Sequence, residues 1–268
     1  MDAPAKMATP TVTLNAVVDA TLKTVVIAWT APTVTDSHGS TVTSYEINVK
    51  NSAGVFVADT ATCDPHSTGT APQTTAFTNL YCSWSMSAMT TLTGLSVDRV
   101  IQARVRAVNA DGSGDWSEIN TSGATIETLP LVMSQPTFNA AGSSNTQITI
   151  DWTLLTGTAT GGSSVAITTY TVEWRPAAGA WTTLAPIVSP TATATITGLT
   201  AGTTYEFRTF GTNKYGDGTV QTTPLSVAAG QAPNALLAAD VSSILLANSV
   251  DVKIYWNAPT TTAGFTVD

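Results

Sequence analysis

Apolar and polar residues alternate strictly along much of this chain. Val42–Lys50 places Thr43, Tyr45, Ile47 and Val49 on one face and Val42, Ser44, Glu46 and Asn48 on the other. A period of two with one apolar face marks a half-buried strand. The same alternation runs through Arg99–Asn109, Ile167–Arg175 and Thr203–Asn213. Shorter β-patterned runs are Thr11–Asn15, Leu22–Thr30, Val55–Ala58 and Ile148–Thr153. Thr91–Leu95 reads as the end of another strand at a Gly94-Leu95 corner, and Trp116–Thr128 as a last strand. Turn-rich segments such as Asn51-Ser-Ala-Gly54 and Ala110–Asp115 separate the runs. Three runs close on Trp, in Ile27-Ala-Trp29, Ile150-Asp-Trp152 and Ile254-Tyr-Trp256. Two of these continue almost alike, as Trp29-Thr-Ala-Pro32 and Trp256-Asn-Ala-Pro259.

The runs recur in the same order. Gly94 and Gly198 lie 104 positions apart, as do Asn109 and Asn213. Such self-similarity is one small domain written more than once. Seven short strands in roughly a hundred residues, divided by Gly and Pro turns, predict a β-sandwich. The expected fold class is therefore all-β, with tandem seven-stranded antiparallel sandwiches. The expected boundaries are a linker over 1–9, a first domain over 10–130, a second over 131–232 and an incomplete third over 233–268. In the third unit Gly264–Asp268 aligns with Gly39–Thr43, which directly precedes the Tyr45 strand of the first. Two strands alone bury no core. The third unit thus needs more chain, from a longer form of this protein or from a second molecule adding strands, or else it stays unfolded.

Each unit resembles a fibronectin type III domain, an immunoglobulin-like sandwich. The second unit carries the pattern nearly intact, in Trp152, Tyr170, Gly198-Leu199, Tyr205-Glu-Phe207-Arg208 and Asn213-Lys-Tyr-Gly216-Asp-Gly218. The first carries Trp29, Tyr45, Gly94-Leu95, Arg104 and Asn109-Ala-Asp-Gly112-Ser-Gly114-Asp-Trp116-Ser117. The resemblance implies core positions for Trp29, Tyr45, Trp152, Tyr170, Tyr205 and Trp256. The first unit departs from it at Ile101, which stands where the corner tyrosine belongs. Losing that hydroxyl tie is expected to cost about 1 kcal/mol.

The two units differ most between the third strand and the Gly-Leu corner. Tyr45 to Gly94 spans 49 positions and Tyr170 to Gly198 only 28, so the first unit holds 21 extra residues. Both cysteines of the chain, Cys63 and Cys82, lie in this interval. The natural reading is a disulfide closing the inserted loop, contributing about 3 kcal/mol. Two free thiols, or a zinc site sharing His66, are the alternatives. A disulfide implies an oxidising compartment. The insertion also carries Tyr81, Trp84, Met86 and Met89, which either cover the sandwich edge or form the following strand, or else present an aromatic patch to a partner. Trp116 is a further candidate partner contact.

Composition narrows the function classes. Only 10% of the 268 residues are charged and the net charge is −8. An acidic chain repels phosphate backbones, so no nucleic-acid partner is expected. No run reaches the ~18 apolar residues of a membrane span, and Met1–Lys6 shows no signal-peptide core. There is no nucleophile elbow, metal-binding helix or phosphate loop. His38 sits in a turn, and the carboxylates are scattered. No enzymatic activity, cofactor or metal is expected. Asn120-Thr-Ser122 is one readable glycan acceptor.

The leading reading is a non-enzymatic structural or adhesive segment of a longer extracellular or cell-surface array. It would pair with copies of itself or with neighbouring domains to build a filament or coat. The sequence does not distinguish a virion surface from a cell surface. Short junctions at Pro130-Leu131 and Gln231-Ala-Pro233 would limit bending. The alternatives are a carbohydrate- or ligand-binding module using Trp84, Trp116, Trp174 and Trp181, the last two packed across a hairpin, and a spacer attached to an enzyme outside this chain.

Overall fold

The alternating runs become antiparallel ladders in the computed structural model, which describes residues 2–15, 24–230, 241–245 and 252–257. Contacts group the chain into two compact units. The first comprises Met1–Pro130 with Thr156–Ala166 and Asn213–Gly216, and the second comprises Leu131–Leu155, Ile167–Thr212 and Asp217–Asp268.

In the first unit, strands β1 (Thr11–Asn15), β2 (Thr24–Ala28), β3 (Val42–Lys50) and β4 (Phe56–Val57) precede helix α1 (Ala71–Asn79). Strand β5 (Tyr81–Ser85), helix α2 (Met86–Thr93) and strands β6 (Ala103–Asn109) and β7 (Gly112–Ser113) follow. One sheet has the order β1-β2-β5 and the other β4-β3-β6-β7. The register of β3 on β6 sets Tyr45 opposite Ala107, Ile47 opposite Val105 and Val49 opposite Ala103. Those residues are buried and meet Val25, Ile27 and Trp84 from the other sheet. Trp29 packs on Tyr45 with ring centroids 5.4 Å apart.

The second unit repeats the plan. Strands β8 (Thr137–Asn139), β9 (Gln147–Asp151), β10 (Ile167–Pro176), β11 (Thr182–Thr183) and β12 (Ile187–Val188) come first. Then come β13 (Thr193–Thr197), β14 (Thr204–Asn213), β15 (Gly216–Asp217) and β16 (Leu225–Ala228). One sheet runs β13-β9-β8, and the other β11-β10-β14-β15 with β12 on β10 and β16 on β14. Trp152, Tyr170, Tyr205 and Phe207 are buried in this core. The Tyr205 hydroxyl accepts from the Thr200 amide at 3.0 Å, and the Tyr170 hydroxyl accepts from the Leu155 amide at 2.9 Å.

Several sequence expectations change. Thr91–Leu95 is not a strand end, because Met86–Thr93 is helical and Gly94 closes it with φ +61°. Met86, Met89 and Thr93 recur at helical spacing and all three are buried, the Thr93 hydroxyl donating to the Met89 carbonyl at 2.8 Å. The run Trp116–Thr128 forms no continuous ladder. The Ser117 hydroxyl and Asn120 amide satisfy the β6 backbone instead, accepting from Val105 and Ala103 amides at 3.1 and 2.7 Å. Such side chains compete with strand ladders for backbone partners. Residues 2–9 do not hang free as a linker. Met7 is buried, Asp2 carbonyl accepts from the Asn109 side chain at 3.0 Å, and Lys6 pairs with Glu118.

Beyond residue 240, β17 (Val241–Leu245) and β18 (Val252–Trp256) form a two-stranded hairpin. Trp256 is therefore no core residue here. It is 68% exposed, because among the described residues no second layer covers this hairpin. The Gln231–Pro233 junction, Pro259 and the Gly264–Asp268 segment lie outside the described residues.

The first unit also encloses an ionic cluster that the charge pattern did not predict. The Glu127 side chain is 2% exposed and pairs with Lys214. It also accepts from the Tyr215 hydroxyl at 2.5 Å and the Ser164 hydroxyl at 2.9 Å. Burial pushes the Glu127 carboxyl up, but these donors and the ammonium outweigh it and hold the group below its ordinary range. Burial and the adjacent carboxylate push the Tyr215 hydroxyl up.

Candidate functional site

The extra residues of the first unit flank β5 on both sides. Before it, Thr70 opens α1 in a capping box: the Gln73 side chain accepts from the Thr70 amide at 2.8 Å, and Pro72 sits in the first turn. The helix ends at Leu80, whose φ of +59° reverses the chain into β5. No α1 residue is fully buried, so propensity alone does not hold this short helix. Three ties do. Phe77 lies on the Tyr45 ring at 5.3 Å, and the Gln73 amide donates to Asp64 at 2.7 Å. Cys63 and Cys82 form a disulfide with Cα atoms 5.7 Å apart.

Within β5 the side chains alternate. Cys82 and Trp84 point inward and are buried, while Tyr81 and Ser85 face outward. Trp84 is thus no partner contact. Its indole N–H donates to Asp59 at 3.0 Å, and its ring fills the core. A hydrogen bond from Thr62, and that from Trp84, hold the Asp59 carboxyl below its ordinary value against a smaller effect of burial. Tyr81, at 38% exposure, is the aromatic that the insertion presents. On α1, Ala71, Pro72, Thr75, Thr78 and Asn79 are exposed as well.

The composition of this segment is unusual for the chain. From Ser67 to Val97 there is no Asp, Glu, Lys, Arg or His. In a chain of net charge −8 this run contributes no charged side chain, and its exposed positions on α1 carry hydroxyl, amide and methyl groups.

The other candidate aromatics are already occupied. Trp116 is half-buried, with the Arg104 and Arg106 guanidinium carbons 4.2 and 4.4 Å from its ring centre. Arg104 also covers Phe56, and Arg106 forms a double hydrogen bond with Glu46 at 3.0 and 2.7 Å. The second unit repeats the stack with Trp181 under Arg175 and Arg208 at 4.3 and 4.0 Å, paired to Glu206 and Glu173. Trp174 does not pack on Trp181; it lies on Tyr205 at 5.8 Å. A sugar ring needs a free aromatic face, and guanidinium groups take the faces of both Trp116 and Trp181.

Asn120 is equally committed. It is buried, accepts from Ala103 and donates to the Ile101 and Ser122 carbonyls at 2.8 and 3.0 Å. Its amide cannot carry a glycan without leaving the fold. His38 bonds the Ala3 carbonyl at 2.8 Å and His66 bonds Asp64 at 3.0 Å. Among the described residues no group of three or more His, Cys, Asp or Glu is arranged to hold a metal. None of the described helices is long and apolar enough to cross a membrane.

The fibronectin type III domain model matches residues 8–122 and 134–228. No curated protein matches the chain. One solved structure to which it is similar is that of the chicken CNTN1 FN1-FN3 domains, at 14% identity and a TM-score of 0.33. That match covers 85% of this chain and 66% of the other, just under two thirds. Domains of this kind are generally non-catalytic, typical of extracellular adhesive and structural modules, and mediate protein–protein interactions. The two matched regions take in more than half the residues and fall on the two sandwiches, so the chain belongs to the fibronectin type III family.

Proposed function

We propose that this chain is a non-catalytic, extracellular segment of a domain array, and that it associates laterally with copies of itself to form a filament or surface coat. The supporting observation is the disulfide-tied helix α1 with Tyr81, in a run from Ser67 to Val97 that carries no charged side chain. Two chains of net charge −8 repel one another. They approach at least electrostatic cost through residues that carry no charge. The Thr and Asn side chains of α1 supply hydrogen bonds there, and Tyr81 supplies an amphipathic ring of the kind enriched at interfaces. The disulfide orders the face beforehand, which lowers the entropy lost on association, and supports an oxidising, extracellular setting. Nothing in the family match favours a virion surface.

Sedimentation velocity and electron microscopy of the intact chain test this. Concentration-dependent association is expected, and Thr75→Asp with Tyr81→Asp should abolish it while leaving the melting curve nearly unchanged. Association that persists undiminished in that variant sinks the proposal.

A further inference from the structure

An open cleft of about 510 Å³ lies in the first unit where the β3–β4 turn meets the start of β6. Its lining includes Lys50, Asn51, Ser52, Leu95, Arg99 and Thr121. The cations set it apart. Elsewhere in the described chain, Lys6, Arg106, Arg175, Arg208 and Lys214 each pair with a carboxylate. Arg104 is stacked on Phe56 and Trp116 and donates to Asn48. Among the described residues Lys50 and Arg99 have neither an ion-pair partner nor an aromatic ring beneath them, and both line this one cleft. The third such cation, Lys253, stands on the isolated β17–β18 hairpin.

The cleft does contain an acid, Asp98. That carboxylate is already engaged: it accepts from the Ser163 amide at 2.9 and 3.2 Å and from the Ser163 hydroxyl at 2.5 Å. It therefore leaves Lys50 and Arg99 unneutralised by contact while limiting the local excess to a single positive charge. Uncharged donors are also in place. The Asn51 side-chain oxygen accepts from the Ala53 and Val55 amides at 3.0 and 2.9 Å, so those two bonds leave its NH2 unused. Ser52 and Thr121 add hydroxyls, and Leu95 and Val100 add apolar wall.

We infer that this cleft binds one carboxylate carried on an extended peptide segment of a partner protein. A net charge of +1 matches a singly charged carboxylate better than a doubly charged phosphate or a polysulfated sugar. The Arg99 fork suits a carboxylate's two oxygens. The volume exceeds what a lone carboxylate needs, and its apolar wall suits the residues flanking it. Among the cleft residues no aromatic ring offers a sugar a stacking face. The site does not depend on self-association, so either proposal can fail without the other.

The test uses the full chain, isotopically labelled, titrated with acetyl-Gly-Leu-Glu-Gly-amide and its Gln counterpart and followed by amide chemical shifts. Saturable shifts are expected around residues 50–54 and 95–102 for the Glu peptide. Binding should fall about tenfold for the Gln peptide and about tenfold in a Lys50→Gln, Arg99→Gln chain. Lys253→Gln, which removes the same charge elsewhere, should bind as the parent does. If the double variant loses its native spectrum, the single change at exposed Arg99 carries the test with an expected drop of several-fold. Equal binding of the two peptides overturns the inference. So does full binding by the altered chain, or tighter binding of inorganic phosphate or a sulfated disaccharide.

Discussion

Glu127 shows what a single buried charge demands. Its side chain is 2% exposed, yet it remains ionised because Lys214, Tyr215 and Ser164 all donate to it. Removing it strands a cation, although Lys214 is 25% exposed and recovers some solvent. Glu127→Ala should therefore cost about 2 kcal/mol, less than a fully buried pair, measured by urea denaturation. The pH dependence has a definite sign. The folded pKa is depressed, so Glu127 stabilises fully above its unfolded value of about 4.3 and loses that contribution as pH falls through the lower folded value. Acid unfolding of the parent should be steeper there than that of Glu127→Gln. Asn120 is the second residue with a fixed place. Asn120→Ala leaves the Ala103 amide and Ile101 carbonyl without partners, and should cost about 2 kcal/mol by thermal melting. In secreted protein, a peptide map should find Asn120 without glycan.

At the scale of elements, the insertion is the part that depends most on its tether. Helix α1 buries no residue completely and stands on Phe77, Gln73 and the disulfide, whereas α2 buries Met86, Met89 and Thr93. Reducing Cys63–Cys82, which closes a separation of 19 residues, should cost about 3 kcal/mol. The loss should be local first. Hydrogen exchange across Ala71–Asn79 should accelerate on reduction well before that of α2 or β6. Equal protection of α1 and α2 after reduction would show that the disulfide does not order the insertion. The hairpin β17–β18 stands at the opposite extreme, with Val252, Ile254, Tyr255 and Trp256 all exposed. Nothing in its own two strands supplies a core.

For the whole molecule, the two proposed surfaces respond oppositely to salt. Association through α1 and Tyr81 works against the repulsion of two chains of net charge −8, so screening should strengthen it. Carboxylate binding at Lys50 and Arg99 is attractive, so the same screening should weaken it. Sedimentation and peptide titration between low and moderate ionic strength should diverge accordingly. If both weaken together, the insertion is not the associating face.

Much of this protein follows from local pattern. The alternation at Val42–Lys50 and Thr203–Asn213, the Trp rhythm and the 104-residue spacing specify two sandwiches and their core, because a period of two and a buried face allow few other folds. The position and contents of the insertion were equally visible. Its conformation was not, since Met86–Thr93 is short and its Thr residues suit strands as well as helices until three side chains find the core. The charge-free run was legible but acquires meaning only once α1 is seen standing outside that core. Tertiary structure alone decided which polar groups are spent. It turned Asn120 and Trp84 inward, laid arginines over Trp116 and Trp181, and gathered Glu127 with Lys214 and Tyr215. It left Lys50 and Arg99 unpaired in one cleft. These are relations between residues distant in sequence, set by three-dimensional packing and the need to satisfy buried polar groups, and no local pattern encodes them.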